Sequence, residues 1–221
     1  MENSIAPSPD EYLQIMRADS IPEGMSWLWY VKKAKVESDT IIIRNSRFVE
    51  IPAGNYTFLH RITDATIHHD PPGECVMEDT PVELKTHLGF VIHARGRVLV
   101  TGLGLGCVTR GLLANPNVEH VTVIENSKDV LKLVLPSMLA LNDRLDVIEA
   151  DAFEWVAKNK DHYDCGWHDL WTNRSAGEPH LDIWHTRLLM NCKTFIRNQG
   201  AWAYNKLAKR KLMRRGFQWI G

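Results

Sequence analysis

The sequence predicts an α/β fold built on a doubly wound, mostly parallel sheet, and three observations carry that prediction. From residue 82 onward, helical and strand patterns alternate with short connections. One buried-strand pattern, Arg97-Val98-Leu99-Val100-Thr101, runs directly into Gly102, Gly104 and Gly106. The next, Val121-Thr122-Val123-Ile124, ends in the carboxylate of Glu125. Alternation of this kind places parallel strands in one sheet with helices on both faces.

Taken in order, Val82 to Ala94 carries Leu84, Leu88, Val91 and Ile92 at helical spacing, which predicts an amphipathic helix leading into the first strand, Val98 to Thr101. A helix over Cys107 to Leu113 follows the glycines, then a strand over Val121 to Glu125 and a helix over Ser127 to Leu139. Leu145 to Glu149 reads as the third strand, Ala152 to Lys158 as a short helix, and Asp164 to Asp169 as the fourth strand. Leu181 to Arg197 predicts a long helix, Gly200 to Tyr204 a fifth strand, and Lys206 to Arg215 a last helix. Few residues follow Tyr204, so the sheet is expected to be shortened at its C-terminal end.

Residues 1–80 follow a different pattern. Thr40 to Arg44 and Tyr56 to Thr63 are β-branched and aromatic, and Asn45-Ser46 and Pro52-Ala53-Gly54-Asn55 supply turn chemistry. A small antiparallel sheet or hairpin lying against the α/β layer is expected, with Trp27, Leu28, Trp29 and Tyr30 packed in it and an exposed aromatic binding surface as the alternative. The chain thus divides into an N-terminal extension, 1–80, and an α/β domain, 81–221.

Composition narrows the function classes. A chain of 221 residues with 44% hydrophobic content can bury one sizeable core. A net charge of −1 argues against a chain devoted as a whole to nucleic acid or an anionic membrane. Cys75, Cys107, Cys165 and Cys192 are scattered without a C-x-x-C pair, which indicates reduced thiols rather than zinc or a disulfide framework. Met1 to Asp10 lacks an apolar signal core and no stretch has the ~18 apolar residues of a membrane span. A cytoplasmic protein is expected.

The glycine run has a specific physical use. Glycine tolerates positive φ and lets backbone approach a ligand, and the following helix offers free N–H groups at the positive end of its dipole. Glu125 is placed to accept hydrogen bonds from two ribose hydroxyls. Strand, glycine turn, helix and a strand ending in a carboxylate describe half of a Rossmann-type nucleotide site. A dinucleotide fingerprint would need its third glycine at Cys107 or Thr109, so G-x-G-x-x-G fails here. A tight turn without a ligand is the alternative.

Two further carboxylates extend the pattern. Asp151 follows the third strand, where an adenine amino group would lie, and Phe153 could cover the ring. Asp169 ends the fourth strand, beside the first, at the switch point where open α/β sheets bind ligands. Each acid alone also reads as a helix N-cap or first-turn charge.

With these residues in view, the chain resembles class I S-adenosylmethionine-dependent methyltransferases over about residues 82–205. The resemblance assigns S-adenosylmethionine binding to Gly102, Gly104, Gly106, Glu125, Asp151, the adjoining Ala152 and Asp169, with Asp169 as base or orienting group for an unidentified methyl acceptor. Val100 departs from that family, which often has an acid two residues before the first glycine. At this position the chain is similar to spermidine synthases, which share a β-rich extension and a helix matching Pro81 to His87, with Glu83 and His87 near corresponding positions. Two departures count against aminopropyl transfer: Leu105 replaces the usual loop aspartate, and Asp169 stands alone before Leu170, Trp171 and Thr172. Methyl transfer is therefore the expectation, aminopropyl transfer the alternative, and a non-catalytic S-adenosylmethionine-binding module the reading from another class.

Other signals carry less. Asp70-Pro71-Pro72-Gly73 resembles the motif of amino-methylating DNA enzymes but lacks its aromatic residue, and reads better as a proline turn. His68 and His69 point apart on an extended chain, so no metal is expected. Lys206, Lys209, Arg210, Lys211, Arg214 and Arg215 form either a solvated helix face or a phosphate-contacting patch for a nucleic-acid acceptor. Substrate contacts are expected from the extension, from Met77-Glu78-Asp79-Thr80 and from a mobile loop, Thr172 to Pro179.

Overall fold

The computed structural model describes residues 5–44, 47–62, 73–138, 143–170, 179–202, 206–214 and 216–220. His68, His69, the 70–72 run, Trp171 and most of the Thr172–Pro179 loop lie outside them.

The chain opens with a helix that the sequence reading missed, α1 (Pro9–Ile15). A capping box starts it: Glu11 N donates to Ser8 Oγ and Ser8 N donates to Glu11 Oε2. Six strands follow, β1 (Gly24–Ser26), β2 (Trp29–Val36), β3 (Thr40–Arg44), β4 (Arg47–Ile51), β5 (Gly54–Arg61) and β6 (Glu74–Glu78). The order β1-β2-β5-β6 makes an antiparallel four-stranded sheet, while β3 and β4 form a separate hairpin. Trp27 departs from the expected packing, for it sits at φ 47° in the turn between β1 and β2 and is 76% exposed.

The second layer has the expected alternation: α2 (Pro81–His93), β7 (Gly96–Thr101), α3 (Cys107–Ala114), β8 (Val118–Glu125), α4 (Lys128–Val134), β9 (Leu145–Glu149), α5 (Ala152–Lys158), β10 (Tyr163–His168), α6 (Pro179–Cys192), β11 (Ile196–Ala201) and α7 (Lys206–Arg214). All pairings are parallel in the order β11-β10-β7-β8-β9, so the switch point lies between β10 and β7. One boundary differs. The helical pattern was read through Arg197, yet α6 stops at Cys192 because Phe195 N folds back onto the Cys192 carbonyl and Ile196 begins the edge strand. Beyond α7, Gln199 exchanges backbone hydrogen bonds with Gln218 and Ile220, so the C-terminal segment lines the β11 edge.

Alternating residues of β7 feed two cores. Val98 and Val100 pack with residues of α1, α2, α3 and the first sheet, whereas Leu99 packs with Val156 of α5 and Leu188 of α6. The first core also takes in Met16, Ile21, Leu59 and Met77, so extension and α/β layer share one apolar cluster. Asp79 fastens the junction. It is fully buried and accepts hydrogen bonds from Arg17 Nε at 3.0 Å, Ala18 N at 2.9 Å and Thr57 N at 2.7 Å. Asp79 was expected among substrate contacts and serves here to hold the two layers together. Among the described residues, no helix is long and apolar enough to cross a membrane.

Candidate active site

A cavity of about 270 Å³ opens where the carboxyl ends of β7, β8, β9 and β10 meet the first sheet. Gly102, Gly104, Glu125, Asp151, Ala152 and Asp169 all line it. Gly106 does not; it occupies the left-handed region at φ 73° as the N-cap of α3. A Cβ on Gly102, at φ 91°, would stand 2.0 Å from the Asp169 carbonyl oxygen, so only glycine permits the loop to pass the end of β10.

Glu125 is held before any ligand arrives. Its Oε2 accepts from Leu103 N at 2.8 Å and its Oε1 from Ser127 N at 2.9 Å. Burial raises its pKa, and the backbone N–H groups counter that shift. Asp151 is the N-cap of α5, with Oδ1 accepting from Phe153 N at 2.8 Å and Glu154 N at 3.0 Å. The N-cap reading of Asp151 holds, and the residue also lines the cavity.

Asp169 lies just past β10, its amide donating to the Thr101 carbonyl at 2.9 Å. Burial is the main cause that pushes its carboxyl up to about 6; His87 opposes the shift and Glu83 adds to it. Those two residues come from α2, one turn apart on a single face. Glu83 lines the cavity and is 7% exposed, and its Oε1 stands 3.5 Å from Nε2 of the fully buried His87. Neither ring nitrogen of His87 makes a hydrogen bond among the described residues, and neither does Trp167 Nε1. Trp167 packs edge-on against His87 at 5.5 Å and against Phe90 at 4.9 Å. A buried imidazole without a hydrogen bond is costly, by about 1–3 kcal/mol.

Beneath Asp169 a buried chain stiffens the strand ends. Gln199 Nε2 donates to the Leu189 carbonyl, which turns Gln199 Oε1 toward His168 Nε2 at 3.0 Å. His168 therefore carries its proton on Nε2, and Nδ1 accepts from the Thr101 hydroxyl at 3.0 Å. Burial holds the His168 pKa down to about 4, so the ring stays neutral.

The opposite wall belongs to the first sheet: Trp29 from β2, Leu59 and Arg61 from β5, and Val76 and Met77 from β6. Met77 was expected near the substrate and reaches the glycine loop, where its Sδ accepts from Leu105 N at 3.1 Å. Leu105 itself is fully buried. Sequence reading placed the Trp29 cluster in the extension and missed that Trp29 and Arg61 face this cavity; neither β2 nor the β2–β5 register was legible. The basic run forms α7, in which Arg210, Lys211 and Arg214 are exposed and Lys209 lies 4.6 Å over the Trp219 ring. None of these lines the cavity. Among the described residues no group of three or more metal-ligating side chains occurs.

The family model described as spermine/spermidine synthase domain matches residues 79–204, more than half of the chain. The chain belongs to the spermine/spermidine synthase family. Among curated relatives, a polyamine aminopropyltransferase of Agathobacter rectalis is 30% identical over 102 residues, covering 42% of this chain and 36% of that protein. A polyamine aminopropyltransferase of Shouchella clausii is 36% identical over 88 residues, covering 37% and 32%. The matched stretch thus spans about a third of these relatives' length. Among solved structures, spermidine synthase from Thermotoga maritima gives a TM-score of 0.48 at 16% identity, over 88% of this chain and 72% of that one.

Family membership and these relatives overturn the expectation of an S-adenosylmethionine-dependent methyltransferase, and with it S-adenosylmethionine as methyl donor. The error has a physical source. Aminopropyl transfer is disfavoured in the sequence by Leu105 in the loop and the single Asp169 after β10; the tertiary fold brings Glu83 of α2, which the sequence places only near a matching position, into the same cavity.

Proposed function

We propose that this chain is an aminopropyltransferase that takes its aminopropyl group from decarboxylated S-adenosylmethionine and transfers it to an amine. The observation carrying this reading is the convergence of Glu83 and Asp169 on the cavity lined by Gly102, Gly104, Glu125 and Asp151. Glu125 would accept from the ribose hydroxyls and Asp151 would face the adenine side, beside Phe153. With Leu105 buried, the donor's amine has no loop aspartate to meet, and Glu83 and Asp169 are the cavity acids proposed to meet ammonium groups.

The chemistry asks for little beyond position and one proton acceptor. The incoming ammonium gives a proton to the Asp169 carboxylate, whose raised pKa suits it as a base near neutral pH. The freed nitrogen lone pair forms the N–C bond at the methylene next to the sulfonium. The C–S bond breaks as it forms, and its electron pair leaves on sulfur as neutral methylthioadenosine. Glu83, steadied by His87, orients the amine.

The test is release of methylthioadenosine from decarboxylated S-adenosylmethionine in the presence of a panel of primary amines. Asp169→Asn should lower turnover by about 10²–10⁴-fold while donor binding changes only a few-fold. Donor binding without release for any amine would favour the non-catalytic module, and absence of donor binding would defeat the proposal.

A further inference from the structure

Charge is distributed unevenly along the chain. Of its 26 Lys and Arg and 27 Asp and Glu, residues 183–221 hold nine of the first kind and none of the second, which leaves 17 against 27 in residues 1–182. A nearly neutral chain is therefore an acidic body with a basic C-terminal part.

The ridge of that part is α7. Leu212 is buried against Leu189, Ala201 and Phe217, so Arg210 and Arg214, each two positions from it, project from the opposite side of the helix. Both are exposed, and so is Lys211 on the flank. The helix contains no acid, and Arg210 and Arg214 are like charges one turn apart, an arrangement that disfavours the isolated helix. Just past Arg214 the surface continues into a cleft of about 200 Å³ lined by Gly216, Gln218 and the exposed Lys193 and Arg197, with no acid among its lining residues. None of these residues lines the cavity of the candidate active site.

A polyanion complements such a ridge. Insertion into a bilayer needs a free apolar face, whereas Leu212 of α7 is packed in the core and Met213 is the exposed apolar residue beside the arginines. The centre of a stable protein interface is depleted of charge, and here the centre is charged. Single strands are held by stacking bases on aromatic rings, and the ring beside the ridge, Trp219, already has Lys209 over it. A convex helix, about 10–12 Å across, matches the ~12 Å major groove of B-form DNA, while the major groove of an A-form RNA duplex is too narrow for it. We propose that α7 and the adjoining Arg197 form a docking surface for duplex DNA that grips phosphates without reading sequence. The proposal is independent of aminopropyl transfer, since the docking surface and the cavity share no residue.

Fluorescence anisotropy with a labelled mixed-sequence DNA duplex tests it in the full chain. Binding at low salt should weaken with a slope of log K against log salt of about −3 to −4, as expected for phosphate contacts by Arg197, Arg210, Lys211 and Arg214. The Arg210→Ala/Arg214→Ala pair should bind about ten- to a hundredfold more weakly at low salt and lower the slope by about 2, with methylthioadenosine binding unchanged. Arg210→Lys/Arg214→Lys should restore binding, because a phosphate accepts either cation. No binding at low salt, or binding that the alanine pair leaves unchanged, would overturn the proposal. So would duplex RNA or a single strand bound as tightly as duplex DNA, tighter binding to phosphatidylserine vesicles, or a dimer in light scattering that the alanine pair dissociates, for each assigns the surface to another partner.

Discussion

Glu125 Oε2 accepts a hydrogen bond from the Leu103 amide at 2.8 Å, tying the tip of β8 to the glycine loop that follows β7. An acceptor for the Leu103 and Ser127 amides fixes the loop and orients both carboxylate oxygens in the cavity, where the proposed function has them meet the ribose. Glu125→Ala should weaken methylthioadenosine binding by about ten- to a hundredfold, the range for one or two lost charge-assisted hydrogen bonds. Glu125→Gln, which keeps one acceptor, should fall between. Calorimetry at fixed ionic strength reads this, and an unchanged affinity would assign Glu125 to the loop alone.

His87 offers a separation of stability from turnover. It is fully buried and neither ring nitrogen makes a hydrogen bond among the described residues, so His87→Leu removes a polar group whose hydrogen-bonding capacity is unused there. The variant should be more stable by about 1 kcal/mol, a Tm rise of roughly 2–4 °C for a chain of this size. Its turnover should drop all the same, because Glu83 loses the ring beside it. A loss of Tm together with turnover would make His87 a packing residue only.

The glycine loop should respond unequally to alanine. At Gly102 the new Cβ meets backbone, the Asp169 carbonyl at 2.0 Å, and at Gly104 it meets the Met77 sulfur at 2.3 Å. Backbone cannot swing aside, whereas a methionine tip can. Gly102→Ala should cost about 3 kcal/mol or more in urea unfolding, and Gly104→Ala about 1–3 kcal/mol from its left-handed backbone. Similar costs at the two sites would contradict the close approach of β10 to the loop.

Asp169 and His168 impose opposite pH dependences on stability. The folded protein holds Asp169's proton up to about 6, above an ordinary aspartate, so its stabilising contribution is full at low pH and is lost as pH rises through about 6. His168 is held down to about 4, so its contribution is present at neutral pH and is lost as pH falls toward about 4. The two oppose each other over the shared acidic range. Asp169→Asn removes the first alone, and thermal melts of that variant should lose stability more steeply on acidification than those of the parent. A parallel pair of curves would show that Asp169 titrates normally.

The legible parts of this protein are those written in local sequence. The β7 run, the glycine triplet and Glu125 announce themselves because a buried parallel strand must be apolar, a loop at positive φ must be glycine, and a strand tip facing a ligand can carry charge. Every site residue named from these signals except Gly106 lines the cavity. The extension was harder: β2 mixes Lys32, Lys33 and Lys35 with apolar residues, since one face is solvated, and its period was not recognised.

Sequence alone thus determined the parallel α/β architecture with its glycine turn, for strand, turn and helix are each specified by residues within reach of one another. Which chemistry the cavity suits was decided by tertiary structure. Glu83 lies on α2, Asp169 just past β10, Trp29 on β2 and Arg61 on β5, far apart in the chain, and only the packing of the first sheet over the switch point brings these side chains around one cavity. Charge balance in a site is a sum over neighbours, and neighbours of this kind are set by topology rather than by spacing along the chain.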